Sequence, residues 1–180
     1  FWGIAMWTIL SNCVFLIGAW TNFYISMGFI EEHMLMNISS SKILVGRAVA
    51  GLSVSTIAII LIYFVLSSFI GLSGKVISDP ILLIIGLTLF IIMSLSYGLI
   101  LSALSFRTGV PGTLLDISNF IVFIIGGIAT PVAMLPKPIN LIALLIPYSY
   151  PAELVRYASI GYKPYMPINM ELLIGVILTT

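Results

Sequence analysis

The chain has 180 residues, of which 61% are hydrophobic and only 7% are charged, and its formal net charge is +1. Its mean hydropathy of +1.23 lies far above that of water-soluble domains, because six acidic and seven basic side chains cannot cover the surface of a soluble domain of this size. The composition therefore predicts an integral membrane protein in a lipid bilayer. So small a net charge gives no reason to expect nucleic acid as a partner.

Four apolar runs are long enough to cross a bilayer, which takes about 18 or more apolar residues. They occupy about residues 1–25, 43–70, 80–106 and 113–135. Backbone groups in lipid must be paired within their own segment, and no run alternates polar and apolar residues as a barrel strand does. The runs therefore predict an all-α protein with several transmembrane helices.

Both ends of the chain lie in apolar segments. Phe1 begins the first run without a methionine, and the segment that ends at Thr180 holds about 13 residues, which rise about 20 Å as a helix. A hydrocarbon core is about 30 Å thick, so we expect the last span to continue beyond Thr180. No repeat or composition shift divides the chain. The sequence predicts one membrane domain over residues 1–180, truncated at both ends.

Residues 28–47 concentrate charge between the first two runs. Helical spacing places four apolar side chains on one face, namely Phe29, Ile30, Met34 and Met36. Glu31, Glu32 and His33 cluster on the polar side of the same helix. This pattern predicts a short amphipathic helix on the membrane surface. The alternative is a polar loop that merely joins two spans, and the residues alone do not decide between the two.

The region after the fourth run holds seven of the nine prolines, from Pro131 to Pro167. A straight spanning helix cannot run through them, so we expect short helices that enter the membrane and return. Five of the eight tyrosines also fall here, as is typical of rings at the depth of the lipid headgroups: Tyr148, Tyr150, Tyr157, Tyr162 and Tyr165.

Glu153 and Arg156 are three residues apart in this proline-rich region and could meet on one helical face. We expect them to pair at the membrane interface and to stabilise the returning hairpin. An ordinary exposed ion pair, worth about 0 to 1 kcal/mol, fits the spacing equally well.

The basic residues do not decide which end of the spans is cytoplasmic. If the ends alternate, one side holds Lys42, Arg47 and Arg107, and the other holds Lys75, Lys137, Arg156 and Lys163. Three basic residues against four give no clear bias by the positive-inside rule.

The sequence lacks the residue patterns of catalytic sites. His33 is the only histidine and Cys13 the only cysteine, and no phosphate-binding glycine loop or metal-ligand spacing is present. We therefore expect no catalytic residue, no bound metal and no cofactor in this chain. His33 is read as a solvated helix residue, and Cys13 as a buried small apolar residue.

Residues 28–47 resemble the interfacial segment of type-2 ATP-binding-cassette (ABC) transporter permeases. The matching positions are Gly28, Glu31, Ser39, Ile43, Leu44, Gly46 and the basic residue Arg47. Phe29 stands where the family pattern has threonine, and Asn37 where it has proline. A second segment is similar to the late pattern of the same family, through Gly127, Pro131, Leu135, Pro136, Pro147, Tyr150 and Arg156.

The resemblance implies a membrane-spanning subunit of an exporter, with about five of an expected six spans in this chain. It implies a cytoplasmic coupling helix that docks on a separate ATPase subunit, formed by Gly28, Phe29, Ile30, Glu31, Glu32, His33 and Met34. It also implies an extracellular re-entrant hairpin or gate before the last span, with Gly127, Pro131, Pro136, Pro147, Tyr150, Glu153 and Arg156. ATP and Mg²⁺ would bind to the ATPase. A second permease subunit, identical or different, would complete the path through the cell membrane.

Two other functions remain open at this point. A passive channel or a proton-coupled secondary transporter could have the same composition, and so could a structural membrane scaffold. A proton-coupled carrier needs acidic groups within its spans, for which Asp116 is the nearest candidate. Its place near the start of a predicted helix favours a simpler role with the helix dipole.

Overall fold

The computed structural model describes residues 1–37, 39–70, 77–108 and 112–179, some of the helical ones by their backbone alone. Every element within these ranges is helical, and they contain no strand, so the predicted all-α class is confirmed. The predicted loops around Lys75 and residues 109–111 lie outside the described residues.

Nine α-helices are described, with two shorter helical stretches between them. The α-helices are α1 (Trp2–Cys13), α2 (Trp20–Ser26), α3 (Phe29–Leu35), α4 (Ser40–Ile70), α5 (Pro80–Thr108), α6 (Gly112–Ile125), α7 (Lys137–Leu145), α8 (Ser149–Ile160) and α9 (Ile168–Thr179). A π-helical stretch, Val14–Ala19, joins α1 to α2 directly. A 3-10 turn, Val132–Met134, lies between α6 and α7.

Among the described residues, two helices are long and apolar enough to cross a membrane. They are Val45–Phe69 within α4, with mean hydropathy 2.5, and Pro80–Ser105 within α5, with mean hydropathy 2.3. At 1.5 Å per residue each rises nearly 40 Å, which exceeds a hydrocarbon core of about 30 Å. Most large apolar side chains of α4 are exposed, as lipid contact requires. Shorter apolar helices cover Trp2–Ile17, Thr113–Ile125 and Ile168–Thr179.

The prediction that one helix continues over residues 113–135 is wrong. α6 ends at Ile125, and the backbone turns at Gly126 and Gly127. Gly127 has a φ of +71°, which favours glycine, and a Cβ there would lie 2.8 Å from Val132 Cγ2. Pro131 then begins the 3-10 turn with an extended backbone. Hydropathy alone could not reveal this end, because the residues on both sides of the turn are apolar.

α5 is the central helix of the bundle and packs against α1, α8, α9 and the π-helical stretch. Its start is well defined, because Asp79 Oδ1 accepts the backbone N–H groups of Ile81 at 3.1 Å and Leu82 at 3.2 Å. Phe90, in the middle of α5, is fully buried against the core residues of α1 and α8. The helix thus connects the first span to the proline-rich region.

Contacts at the start of α5 fix which ends of the helices lie together. The N–H groups of Ser78 and Asp79 both donate to the carbonyl of Ala158, at 2.9 and 2.8 Å. Near the other end of the bundle, the hydroxyls of Thr21 and Ser102 are 2.7 Å apart. The segment before α5 therefore shares one end of the bundle with α8, which is the arrangement that alternating helices predict.

Candidate functional site

The charged segment forms a short helix between α2, which ends the continuous helical stretch that begins with α1, and the long helix α4. α3 covers seven residues, Phe29–Leu35, and follows a turn at Met27 and Gly28. The Gly28 carbonyl accepts the N–H of Glu32 at 3.4 Å, which starts the helix. The side chains of Glu31 and Glu32 are exposed. These two carboxylates are therefore available to a partner molecule.

The described apolar side chains of this segment are partly uncovered. Phe29 packs against Phe23 and Tyr24, with ring centroids 6.3 and 5.4 Å apart, yet 38% of Phe29 remains exposed. Met36 is also exposed. The side chains of Ile30 and Met34, which complete the predicted apolar face, lie outside the described atoms.

His33 does not lie on the solvated face with the two glutamates. Its ring stacks on Tyr24 of α2, with centroids 5.8 Å apart and planes 14° apart, and its Nδ1 atom is buried. Arg47 of α4 also approaches Tyr24, since its guanidinium carbon lies 3.9 Å from the ring centre. The reading of His33 as a solvated residue is therefore wrong. Tyr24, which no sequence motif identified, joins α2, α3 and α4.

The proline-rich region folds into two short helices, and its prolines lie where helices start. Pro131 is the residue before the 3-10 turn, and Pro136 is the residue before α7. Pro147 separates α7 from α8. A proline lacks the N–H that a first helical turn leaves unpaired, so these positions suit it.

A buried ion pair lies at the centre of this region. Arg156 Nη1 donates to Glu153 Oε1 at 3.4 Å, and the two side chains are only 8% and 2% exposed. Glu153 Oε1 also accepts the N–H of Val132 at 3.0 Å, and Arg156 Nη2 donates to the carbonyl of Ile128. The pair expected from the spacing is thus present, and it is buried rather than exposed. It ties α8 to the chain that follows α6.

Both members of this pair depend on each other because water is excluded. Burial lowers the pKa of the Arg156 guanidinium, whereas the neighbouring Glu153 carboxylate raises it. An arginine keeps its charge even after such a shift. Glu153 Oε2 is buried without a hydrogen-bond partner, so the carboxylate relies on Arg156 for compensation.

Two of the five tyrosines are not at an exposed interface. Tyr148 and Tyr150 are only 5% and 8% exposed, so the headgroup reading is wrong for both. The Tyr148 hydroxyl donates to the carbonyl of Met93 in α5 at 2.9 Å, and the Tyr150 hydroxyl donates to that of Leu144 at 2.7 Å. Both bonds hold α8 in place. Of the five tyrosines, Tyr165 is clearly exposed.

Three further polar residues support this region, although the sequence patterns did not identify them. Asn140 Nδ2 donates to the Val132 carbonyl at 3.2 Å, and Ser149 Oγ donates to the Ala143 carbonyl, with the Gly126 carbonyl 3.3 Å away. Glu171, buried in α9, accepts the N–H of Met166 at 3.1 Å. The available signal was the presence of isolated polar residues in apolar segments, where an unpaired group is costly.

Within the described ranges, no group of three or more histidine, cysteine or acidic side chains could hold a metal ion. The described contacts instead join short helices to longer ones.

Long apolar helices with exposed apolar side chains define a helical membrane protein. A model of the family described as ABC-2 type transporter matches residues 1–160 of this chain. The chain therefore belongs to the ABC-2 type transporter family, as the two sequence patterns indicated. Its members are transport permeases of ABC transporters, so membership implies a membrane context and an ATPase partner. Neither a search of curated proteins nor one of solved structures found a match.

Proposed function

We propose that this chain is the membrane subunit of an ATP-driven exporter, and that α3 is the coupling helix moved by a separate ATPase subunit. The observation that carries the proposal is the position of α3 between α2 and the long helix α4. Tyr24 contacts His33 of α3 at 5.8 Å and Arg47 of α4 at 3.9 Å. A displacement of α3 would therefore act on α2 and α4 together.

The charges of α3 support a docking role. Glu31 and Glu32 are exposed, and they have no described ion-pair partner. Exposed charges contribute most to the orientation and the rate of association with a complementary surface. Phe29, which is partly exposed, offers an apolar contact beside them. ATP and Mg²⁺ would bind to the ATPase, and the permease would need no cofactor of its own.

The arrangement in the membrane follows from this assignment. The chain would form one multi-pass domain of the cell membrane, with about five of six spans present, and Arg107 would share the cytoplasmic side with α3. α7 and α8 would form the extracellular re-entrant hairpin. The bonds from Ser78 and Asp79 to Ala158 support this topology, because they hold the start of α5 against the end of α8.

The hairpin would act as the outer gate between two permease subunits, identical or different. Closure of the two ATPases would move the coupling helices and open the path between the membrane halves. The buried pair of Glu153 and Arg156 and the bond from Tyr150 would keep the hairpin rigid during that movement. Family membership favours this function over a passive channel or a proton-coupled carrier, since neither of these uses an ATPase.

The proposal is tested by reversing both charges of α3. The variant Glu31→Lys/Glu32→Lys should lose at least about 90% of the ATPase activity that co-purifies with the tagged permease from its native cells, and transport should fall in parallel. Membrane insertion should not change. The matched control is Lys137→Glu/Lys163→Glu, which reverses two exposed charges in the proline-rich region. If the α3 variant retains the ATPase as well as the wild type does, the docking role is wrong.

A further inference from the structure

A cleft of about 390 Å³ lies between α1 and α6, apart from both regions described above. Its volume falls within the range of small-molecule sites in proteins. The two helices run in opposite directions, since Trp7 packs against Phe123 at 4.3 Å and Ser11 contacts Asn119 at 3.3 Å. Phe15 and Asp116 line the cleft further along.

The walls of the cleft combine aromatic rings with polar groups. Trp7, Phe15 and Phe120 supply the rings, and Phe15 and Phe120 are both 54% exposed. Such rings attract organic cations through the negative electrostatic potential of their faces. An amphiphile could therefore place both its apolar body and a cationic group against the same wall.

Asn119, which lines the cleft, has a side-chain acceptor atom without a partner. The residue is only 7% exposed, and its Nδ2 atom donates to Ser11 Oγ. Its Oδ1 atom is buried and has no hydrogen-bond partner. A buried acceptor without a partner is costly, so a ligand that supplies a donor would stabilise this side chain.

Asp116 is the one ionisable residue that lines the cleft, and within the described residues no cation pairs with it. It is the fifth residue of α6 and lies outside the first helical turn. The helix dipole acts mainly on the first turn, so the role expected from the sequence does not explain this carboxylate. Asp116 is exposed, so a positively charged group that enters the cleft could reach its carboxylate.

We propose that this cleft binds an amphiphilic organic cation, and that hydrophobic cations are the substrates of the transporter. Asp116 would compensate the positive charge, Asn119 would accept a hydrogen bond, and the three aromatic rings would surround the apolar part. A second cleft, lined by Tyr97, Tyr148 and Leu178 among others, has no charged residue and so lacks this selectivity. The transport part rests on the proposed exporter function, whereas binding by the cleft does not.

The test uses the intact permease purified in dodecyl maltoside, a detergent without charge, and no ATPase or ATP. Tetraphenylphosphonium and tetraphenylborate have nearly the same shape and opposite charge, and each is titrated alone by calorimetry against permease and against empty micelles. We expect saturable binding of the phosphonium ion only. Equal binding of the borate ion would overturn the inference, because apolar contact alone would then explain both.

Variants of Asp116 test whether its carboxylate is responsible for binding the phosphonium ion. Asp116→Asn should weaken phosphonium binding at least tenfold, which corresponds to about 1.4 kcal/mol, and Asp116→Glu should retain binding within about threefold. Asp79→Asn is the control, because it removes an exposed carboxylate outside the cleft and keeps an acceptor for the α5 cap. Wild-type affinity in Asp116→Asn would disprove the assignment.

Other occupants of the cleft give different results. If a second permease copy covers the cleft, Asp116→Asn should shift the monomer–dimer equilibrium and leave phosphonium affinity unchanged, which would overturn the inference. If phosphatidylcholine is the natural occupant, added phosphatidylcholine should compete with the phosphonium ion for the wild-type cleft. The cleft would then still be selective for cations, but hydrophobic cations would not be the substrates of the transporter. Loss of ATPase docking in α3 variants would not affect any of these measurements, so the two proposals can fail separately.

Discussion

The guanidinium carbon of Arg47 lies 3.9 Å from the centre of the Tyr24 ring, on which His33 also stacks. These three residues belong to α4, α2 and α3. A cation–π contact is worth about 0.5 to 2 kcal/mol, depending on how far water is excluded. Because α3 has only seven residues, such a contact contributes a large share of what holds it against the longer helices.

Removal of the Tyr24 ring should loosen α3. In Tyr24→Leu, the amides of residues 29–35 should exchange hydrogen about tenfold faster than in wild type, since a loss of about 1.4 kcal/mol changes the population of the open state tenfold. Tyr24→Phe keeps the ring and should exchange at nearly the wild-type rate. Equal exchange in the two variants would show that the ring does not hold α3.

The buried pair of Glu153 and Arg156 predicts a strong coupling in a double-mutant cycle. Arg156→Met alone should destabilise the permease by about 3 to 5 kcal/mol, because it leaves the Glu153 carboxylate buried without compensation. Glu153→Gln/Arg156→Met should cost clearly less than the sum of the two single changes. Denaturant-induced unfolding in detergent measures all three variants, with Lys163→Met as the exposed control. Additive costs would contradict the pairing.

Two of the long apolar runs were predictable, because each forms one helix that exceeds the thickness of the membrane. Runs 43–70 and 80–106 correspond to α4 and α5 within a few residues. Three residues of the family pattern also have a local structural reason. Gly127 lies at a turn with a positive φ, and Pro131 and Pro136 each precede a helical segment, which are positions that suit glycine and proline.

Contacts between distant segments were not predictable from local patterns. His33 follows two glutamates in the sequence, yet its position is decided by Tyr24 in another helix. Tyr148 looks like an interfacial tyrosine, but α5 provides a carbonyl and a ring that bury it. Asp116 lines a cleft only because α1 runs alongside α6. In each case a tertiary contact, which local hydropathy does not contain, determines the environment.

Gly127 should tolerate a side chain less well than Gly161 does. Gly127→Ala places a residue with a side chain at a φ of +71° and its Cβ 2.8 Å from Val132 Cγ2, so we expect a loss of about 2 to 5 kcal/mol. Gly161 has a similar φ of +67° but open space around it, so Gly161→Ala should cost only about 1 kcal/mol. Apparent unfolding temperatures in detergent compare the two. Similar losses would mean that the close approach of Val132 does not matter.

The proposed topology places α3 in the cytoplasm and α7 outside, and labelling of single cysteines can test it. The two positions are Ser39, before α4, and Lys137, at the start of α7, and both side chains are exposed. The background is Cys13→Ala, since the native cysteine is buried and behaves as a small apolar residue. An impermeant maleimide should label Lys137→Cys in intact cells, because the residue lies between two prolines where a lipid-facing helix cannot continue.

Ser39→Cys should react with the same maleimide only after the membrane is opened, because a coupling helix can meet an ATPase only on the cytoplasmic side. A variant with Cys13→Ala alone should stay unlabelled under both conditions, which confirms that the signal comes from the introduced thiols. Labelling of Ser39→Cys in intact cells together with protection of Lys137→Cys would invert the topology and exclude the coupling role of α3. Labelling of both positions in intact cells would place α3 and α7 on the same side of the membrane. The proposed topology, in which α3 is cytoplasmic and α7 is extracellular, would then be wrong.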